Sequence, residues 1–535
     1  MPIWVQSLNP LNLMALSALA AVAPLALLLF LMGVLRKAGA VAAAWGLIVA
    51  LLLAMVVWRM PLKLAFLSLA YGAAYGLWPI MGVVFTALWL YNLAAATGSF
   101  DLLRRWMAEH AFGDTRLQAI LVAFCFGALL EGMAGFGAPV AVTACLLLGL
   151  GFEAGQAVTL SLIANTAPVA FGSLGIPIVA LAGVTGLDQM KLSAMVGRQL
   201  PFLSLILPGY LVWVMAGRRG LKAIWPAALV AGASFAAAQF VVSNFWGPYA
   251  ADIIAALTST AALTLFCRTW KPAAAATSSS GWSGSLPGPV TLSRSEVLVA
   301  WTPWASLSVV MIVWSYFKLF QTGQLLLPVP GLHNAIFITL YQKPYAAVYA
   351  FQPLAAGTAA LTACVVTALM LRASPATFLR SGLNTLRQLL QPGLTVLLIV
   401  ALAYLYNYSG MAYTLGAALA GLGVLFPLAS GFLGWIACFL SGSDTASNLL
   451  FGNLQVAAAH QIGVNPILLA ATNSSGAVTG KMISPQNIAV GVTTVGLVGK
   501  EGHILRTTLG HSLLLATLLS ALAFAQAYWL RWMVP

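Results

Sequence analysis

Apolar runs of about 20 residues follow one another from Leu13 to the C-terminus, separated by short loops. Runs of that length cross a bilayer as helices. They do not alternate polar and apolar residues in segments of about 10, as the strands of a membrane barrel would. Twelve spans are expected, at about 13–35, 38–57, 79–98, 156–186, 196–216, 222–243, 246–266, 296–317, 352–371, 389–407, 465–498 and 508–530. The segment 64–77 either extends the third span or lies at the membrane surface. Two apolar pairs, 117–131 with 135–150 and 426–441 with 445–460, each turn at a Gly-rich polar knot. They read as re-entrant hairpins, which are tolerated at depth only where protein or a water-filled cavity surrounds them.

Two of the expected spans carry the same punctuation. Asn165, Gly172, Pro177, Gly183-Val184-Thr185 and Arg198 map onto Asn473, Gly480, Pro485, Gly491-Val492-Thr493 and Arg506 by adding 308, without a gap. Gly/Pro-interrupted helices at matching places in two halves point to the binding site of a secondary transporter. Tyr91-Asn92 and Tyr406-Asn407 echo each other at the ends of earlier helices, and 101–116 and 410–425 read as connecting arms. The chain divides into scaffold helices (1–78), a first repeat (79–216), more scaffold with a Pro/Ala/Ser/Gly-rich linker at 272–294 (217–388), and a second repeat (389–535).

Charge orients the repeats. Only 6% of the residues are charged and 61% are hydrophobic, against about 25% charged in a soluble protein. With the N-terminus outside, cytoplasmic loops receive sixteen Lys and Arg residues and the outer side seven, as the positive-inside rule requires. Counting either hairpin as a full span spoils that separation. The hairpins then enter from opposite sides, the repeats are inverted, and both termini face the periplasm. The net charge of +14 is scattered over short loops, which argues against nucleic acid. The five cysteines show no zinc spacing or disulfide framework. The fold class is therefore an all-α polytopic membrane protein, with about 12 transmembrane helices and two re-entrant hairpins in two inverted repeats.

Four stretches carry a family resemblance: LLEGMAGFGAPVAVTACLLLGLGF from Leu129, ANTAPVAFGSLGIPI from Ala164, SGSDTASNLLFGNLQ from Ser441, and ATNSSGAVTGKMISPQNIAV from Ala471. They resemble the bacterial L-lactate permeases, and the likeness runs over nearly the whole chain. The resemblance implies uptake of L-lactate, and of D-lactate or glycolate, by proton symport across the inner membrane. It also implies the ion-transporter superfamily, with elevator-type motion of a transport unit against a scaffold, and by analogy a homodimer. No cofactor or metal is implied.

Ten acids are present, and two sit deep, at the hairpin knots: Glu131 and Asp444. A charge at the bilayer centre costs roughly 2.5–3.5 kcal/mol on insertion scales. Burial favours the neutral form of a carboxyl, so both are candidates for proton coupling. The alternative is that each caps hairpin N–H groups or pairs with a base. Lys481 is the lone deep base, opposite Ser173 in the other repeat; it either attracts the substrate carboxylate or forms a fixed pair with Asp444. Gly135 and Gly137 permit a tight tip in hairpin one and close approach of backbone to substrate. Asn165, Thr166, Asn473, Ser474 and Ser475 offer hydrogen bonds at the helix breaks, and Ser441, Ser443 and Thr445 do so at hairpin two. The competing use of such polar residues is to join helices. Free N–H groups and the positive ends of broken helices suit a carboxylate.

Sodium coupling is the second transporter reading, since Asn-Thr and Asn-Ser pairs at helix breaks can coordinate a cation; Lys481 argues against one beside it. A membrane-embedded enzyme would need a deep nucleophile–base pair or metal ligands, and the sequence has neither. A channel remains a further class, which single-channel currents would reveal.

Overall fold

The computed structural model describes every residue except 1–2, 36, 110–113, 134, 136–137, 273–291, 318, 320–321 and 498. Gly137 and nearly all of the 272–294 linker lie outside the described residues.

α1 (Met14–Gly33), α2 (Gly39–Val56) and α3 (Leu62–Tyr75) come first. A π-helical stretch, Gly76–Met81, joins α3 to α4 (Gly82–Ala96) through a kink at Trp78. The segment 64–77 thus extends the third span, which runs from Leu62 to Ala96. α5 (Ser99–Glu109) is an amphipathic arm. One helical hairpin follows. Its first leg is α6 (Thr115–Gln118), a π-helical Ala119–Phe126 and α7 (Gly127–Met133); its second is α8 (Ala138–Gly149). Almost every residue of the first leg is buried, against a third of α1, so protein rather than lipid surrounds it. α9 (Ala154–Ala164) and α10 (Gly172–Thr185) form a broken helix bent by 65°. α11 (Gln189–Val196) is short, and α12 (Leu200–Phe245) joins two expected spans in one element kinked at Gly217. α13 (Ala251–Thr269) and α14 (Arg294–Tyr316) complete the first half.

Residues 325–351, between the expected spans 296–317 and 352–371, contain strands. β1 (Trp4–Val5) pairs parallel with β3 (Ile336–Ile338), which pairs antiparallel with β4 (Lys343–Pro344). β2 (Leu325–Pro328) pairs antiparallel with β5 (Val348–Phe351). The strand pairing brings the N-terminal residues to this loop, and Gln6 Nε2 donates to the carbonyls of Asn407 and Tyr408. Those carbonyls end α16 (Pro375–Ser409), which follows α15 (Ala356–Met370). α17 (Met411–Leu419) and a 3-10 turn form the second arm. The second hairpin is α18 (Phe426–Ser441) and α19 (Asp444–Ile462), turning at Gly442 with φ +72°. α20 (Pro466–Lys481), α21 (Pro485–Thr494) and α22 (Glu501–Tyr528) close the chain.

Among the described residues ten helices are long and apolar enough to cross a membrane, or eleven with the bent pair. The expected count was twelve. The protein is a multi-pass, largely helical membrane protein.

Glycine sets the closest helix contacts. A Cβ on Gly476 would lie 2.1 Å from the carbonyl oxygen of Gly431, and one on Gly480 would lie 2.3 Å from that of Trp435. α18 and α20 therefore pack backbone to backbone, the usual role of small residues spaced by four in membrane helices. Packing between the two repeats is crossed. α19 lies on α10, where Asn448 Nδ2 donates to the carbonyl of Pro177 at 3.1 Å. α21 lies near α8 and α9, where a Cβ on Gly491 would meet Val158 and Val140. This crossing brings the two hairpin tips and the two helix breaks together.

Candidate functional site

The breaks are built differently. In the first copy, Ser173, Leu174 and Gly175 all adopt left-handed backbone, with φ of +46°, +58° and +71°. L-residues resist that region, so three in a row mark a backbone held by its surroundings. A Cβ on Gly175 would lie 2.7–2.8 Å from Pro248 atoms, so only glycine fits there. In the second copy the helix continues through Asn473 to Lys481, and the break falls at 482–484. Adding 308 to Ser173–Gly175 gives 481–483, within one residue of that break, but adding it to Asn165, just past the end of α9, gives Asn473, which stays inside α20. Asn473, Ser474 and Ser475 lie within α20, not at its break.

Glu131 sits in the last turn of α7, and Asp444 is the first residue of α19. Lys481 ends α20, and its Nζ donates to Glu131 Oε1 at 2.6 Å. Both side chains are buried. The expected alternative of a fixed Lys481–Asp444 pair is corrected: the base pairs with Glu131 of hairpin one. Asn165 Nδ2 donates to the other carboxylate oxygen, Oε2, at 2.9 Å. Ser474 Oγ donates to the Oδ2 of buried Asp444 at 2.8 Å, and among the described residues Asp444 has no bonded cation and its Oδ1 no hydrogen-bond partner.

These groups face a cavity of about 60 Å³, with Glu131, Ser173, Ser443, Asp444, Thr445 and Lys481 on its walls. That is room for a few water molecules or a small polar solute. Gly172, Ser173, Ile176 and Pro177 at the start of α10 and Asp444 and Thr445 at the start of α19 line it, and Ser443 caps α19 by accepting from Ala446 N. Helix N-termini and an ammonium group together favour an anion. A second cavity of about 470 Å³ shares Gly442, Ser443 and Thr445 with the first. It opens toward Lys37, between the α1–α2 connection, α16 and α21. The small cavity therefore has a vestibule on one side.

The described sequence-selected residues separate into four groups. Glu131, Asp444, Lys481, Ser443 and Thr445 wall the small cavity. Gly135, Asn165 and Ser474 support it: a Cβ on Gly135 would collide with Ser173 Oγ and lie 3.5 Å from Glu131 Oε1. Ser441 lines the vestibule and donates its hydroxyl to the Ala437 carbonyl. Asn473, Ser475 and Thr166 lie elsewhere. Asn473 bonds Ser447, Asn448 and Gln455, and Ser475 donates to Gln199 at 2.6 Å. The Thr166 hydroxyl is buried and meets no protein partner. Sequence reading passed over Gly172, where a Cβ would lie 2.7 Å from Glu131 Oε1, although its place in the echo was a signal.

One sequence family, described as L-lactate permease, matches residues 17–530. An L-lactate permease of Salmonella typhimurium is 43% identical over 554 residues, covering all of both chains. The glycolate permease GlcA of Escherichia coli is 45% identical over 522 residues, covering 93% of each. Among solved structures, the YdaH transporter of Alcanivorax borkumensis aligns with a TM-score of 0.49 and 14% identity, over 92% of this chain and 98% of that one.

Proposed function

The chain belongs to the L-lactate permease family, and on that premise we propose that it imports L-lactate and related 2-hydroxymonocarboxylates, D-lactate and glycolate among them, by proton symport across a bacterial inner membrane. It is a transporter and not an enzyme. The observation that carries the reading is the Lys481–Glu131 pair in the wall of a small cavity between two helix N-termini.

The pair works as an exchange. A substrate carboxylate entering the cavity competes with Glu131 for Lys481. Glu131, left buried without its cation, takes up a proton, because an unpaired carboxylate there is costly. The loaded site then holds Lys481 with the substrate anion and a neutral Glu131; the empty site holds Lys481 with ionised Glu131. Both are neutral, so one substrate and one proton cross without net charge. Asp444 stands beside the cavity as a second group for the proton. Lys481 in the wall disfavours a sodium ion at the same place.

In this reading the hairpins re-enter the membrane from opposite faces, both termini are periplasmic, and twelve helices span. The hairpins and broken helices slide as a unit against the remaining scaffold, in a homodimer. The open vestibule at Lys37 is then the cytoplasmic side. The test is uptake of labelled L-lactate by proteoliposomes under an imposed pH gradient, with glycolate and D-lactate as competitors and sodium varied at fixed pH. Uptake that follows the pH gradient and ignores sodium supports the proposal; uptake that needs sodium overturns it.

A further inference from the structure

A third carboxylate lies beside the site. Asp252, in the first turn of α13, is completely buried. α13 begins directly against the tip of hairpin one: a Cβ on Gly132, the residue after Glu131, would lie 3.0 Å from Asp252 Cβ. Gln239 Nε2 donates to Asp252 Oδ1 at 3.2 Å. Ser204 Oγ donates to Gln239 Oε1 at 2.8 Å, which turns the amide so that its NH2 faces Asp252. Asp252 Oδ2 is buried and meets no protein partner among the described residues.

Among the described residues, the elements packed around it bring no cation that is free to pair with it. α7 brings Glu131, and α20 brings Lys481, which is engaged by Glu131. α12 faces it with Gln239, which Ser204 supports, and neither is charged. α10 approaches through Gly175 at Pro248. The π-helical leg brings Cys125, which is bonded to Ser259 further along α13. An ionised carboxylate there would have one neutral donor and an oxygen left bare, which leaves its charge largely undischarged by the protein. A neutral carboxyl keeps its carbonyl on Gln239 and holds its proton on Oδ2.

The residues that line the vestibule do not include Asp252. Residues 246–250 lead into α13 and rest on the 186–190 turn, where a Cβ on Gly247 would lie 3.0 Å from Met190 Sδ. If the hairpins re-enter, that loop is on the opposite membrane face from Lys37.

We propose that Asp252 is the proton relay between the outer face and Glu131. The inference rests on proton symport as proposed above. When substrate draws Lys481 away, the Asp252 Oδ2–H bond breaks and an O–H bond forms on Glu131, directly or through one water. Asp252 then takes a proton from the outer side, and Glu131 releases its own toward the vestibule as Lys481 returns. No electron changes hands.

The test uses the full chain in proteoliposomes, with wild type, Asp252→Asn and Asp252→Glu. Two rates are read: accumulation of L-lactate driven by a pH gradient, and exchange of labelled for unlabelled lactate at equal pH. Exchange cycles the loaded carrier and needs no net proton movement. Asp252→Asn is expected to lose accumulation by roughly tenfold or more, the scale of losing a proton-transfer group, with exchange kept. Asp252→Glu is expected to recover accumulation. Full accumulation in Asp252→Asn overturns the relay while leaving symport standing; a wild type indifferent to the pH gradient overturns symport itself. If Asp252→Asn loses both rates, infrared difference spectra of wild type and Asp252→Glu decide. A substrate-induced band of a protonated carboxyl that moves in Asp252→Glu supports the relay, and its absence overturns it.

Discussion

Lys481 Nζ lies 2.6 Å from Glu131 Oε1, although the two residues are 350 positions apart and come from different halves of the chain. Neither charge can be removed alone without leaving the other buried. Glu131→Gln or Lys481→Gln should each cost about 3–5 kcal/mol of stability, the scale for breaking a buried pair. The double variant should recover most of that loss and still fail to transport. Melting temperatures of the purified proteins, combined as a double-mutant cycle, check the coupling. Lactate should raise the melting temperature of Glu131→Gln more than that of wild type, because it no longer competes for Lys481.

Gly175 and Gly172 differ in what a methyl group would do. At Gly175 the backbone has φ +71° and a Cβ meets the Pro248 backbone. Gly175→Ala should therefore destabilise by about 2 kcal/mol or more, read as a lower melting temperature. At Gly172 the clash is with Glu131 Oε1 at 2.7 Å, so Gly172→Ala should displace the carboxylate. Its uptake should fall well beyond its loss of stability, a separation that parallel melting and transport assays will show.

Asn407 joins parts assigned to different units. Its Nδ2 donates to the Val184 carbonyl at 2.8 Å, and its Oδ1 accepts from Asn453 Nδ2 at 2.9 Å. Tyr404 Oη donates to Gly183 O at 3.2 Å beside it. In the sliding reading these bonds hold the state with the Lys37 vestibule open. Asn407→Ala should shift the population away from that state by roughly tenfold, since each hydrogen bond contributes about 1 kcal/mol. Thr445→Cys in a background without other cysteines reports this. Its labelling from the cytoplasmic side should slow when Asn407 is replaced; an unchanged rate would contradict the latch.

The acids and base that wall the cavity were legible because charge is scarce in an apolar chain. Glu131, Asp444 and Lys481 stand out in sequence by depth alone. Their pairing was not legible: which acid meets Lys481 depends on how α20 lies against hairpin one, 350 residues away. The 308-residue echo marked both broken helices, yet it put Asn473 and Ser475 at a break that α20 runs past. Sequence matches do not record that Ser173 to Gly175 turn left-handed in one copy while Met482, at the break in the other, keeps right-handed backbone. Asp252 was passed over because it stands near a helix start, where an acid ordinarily meets water. The short strands of 325–351 went unread because two to four residues carry no usable period.

The exchange of Lys481 between Glu131 and substrate is tested most directly by one measurement: L-lactate accumulation in proteoliposomes bearing Glu131→Gln, under an imposed pH gradient, with lactate present through purification to occupy Lys481. The account predicts that accumulation against a concentration gradient is lost while exchange of labelled for unlabelled lactate persists. Proton-driven accumulation at the wild-type level in Glu131→Gln would contradict it.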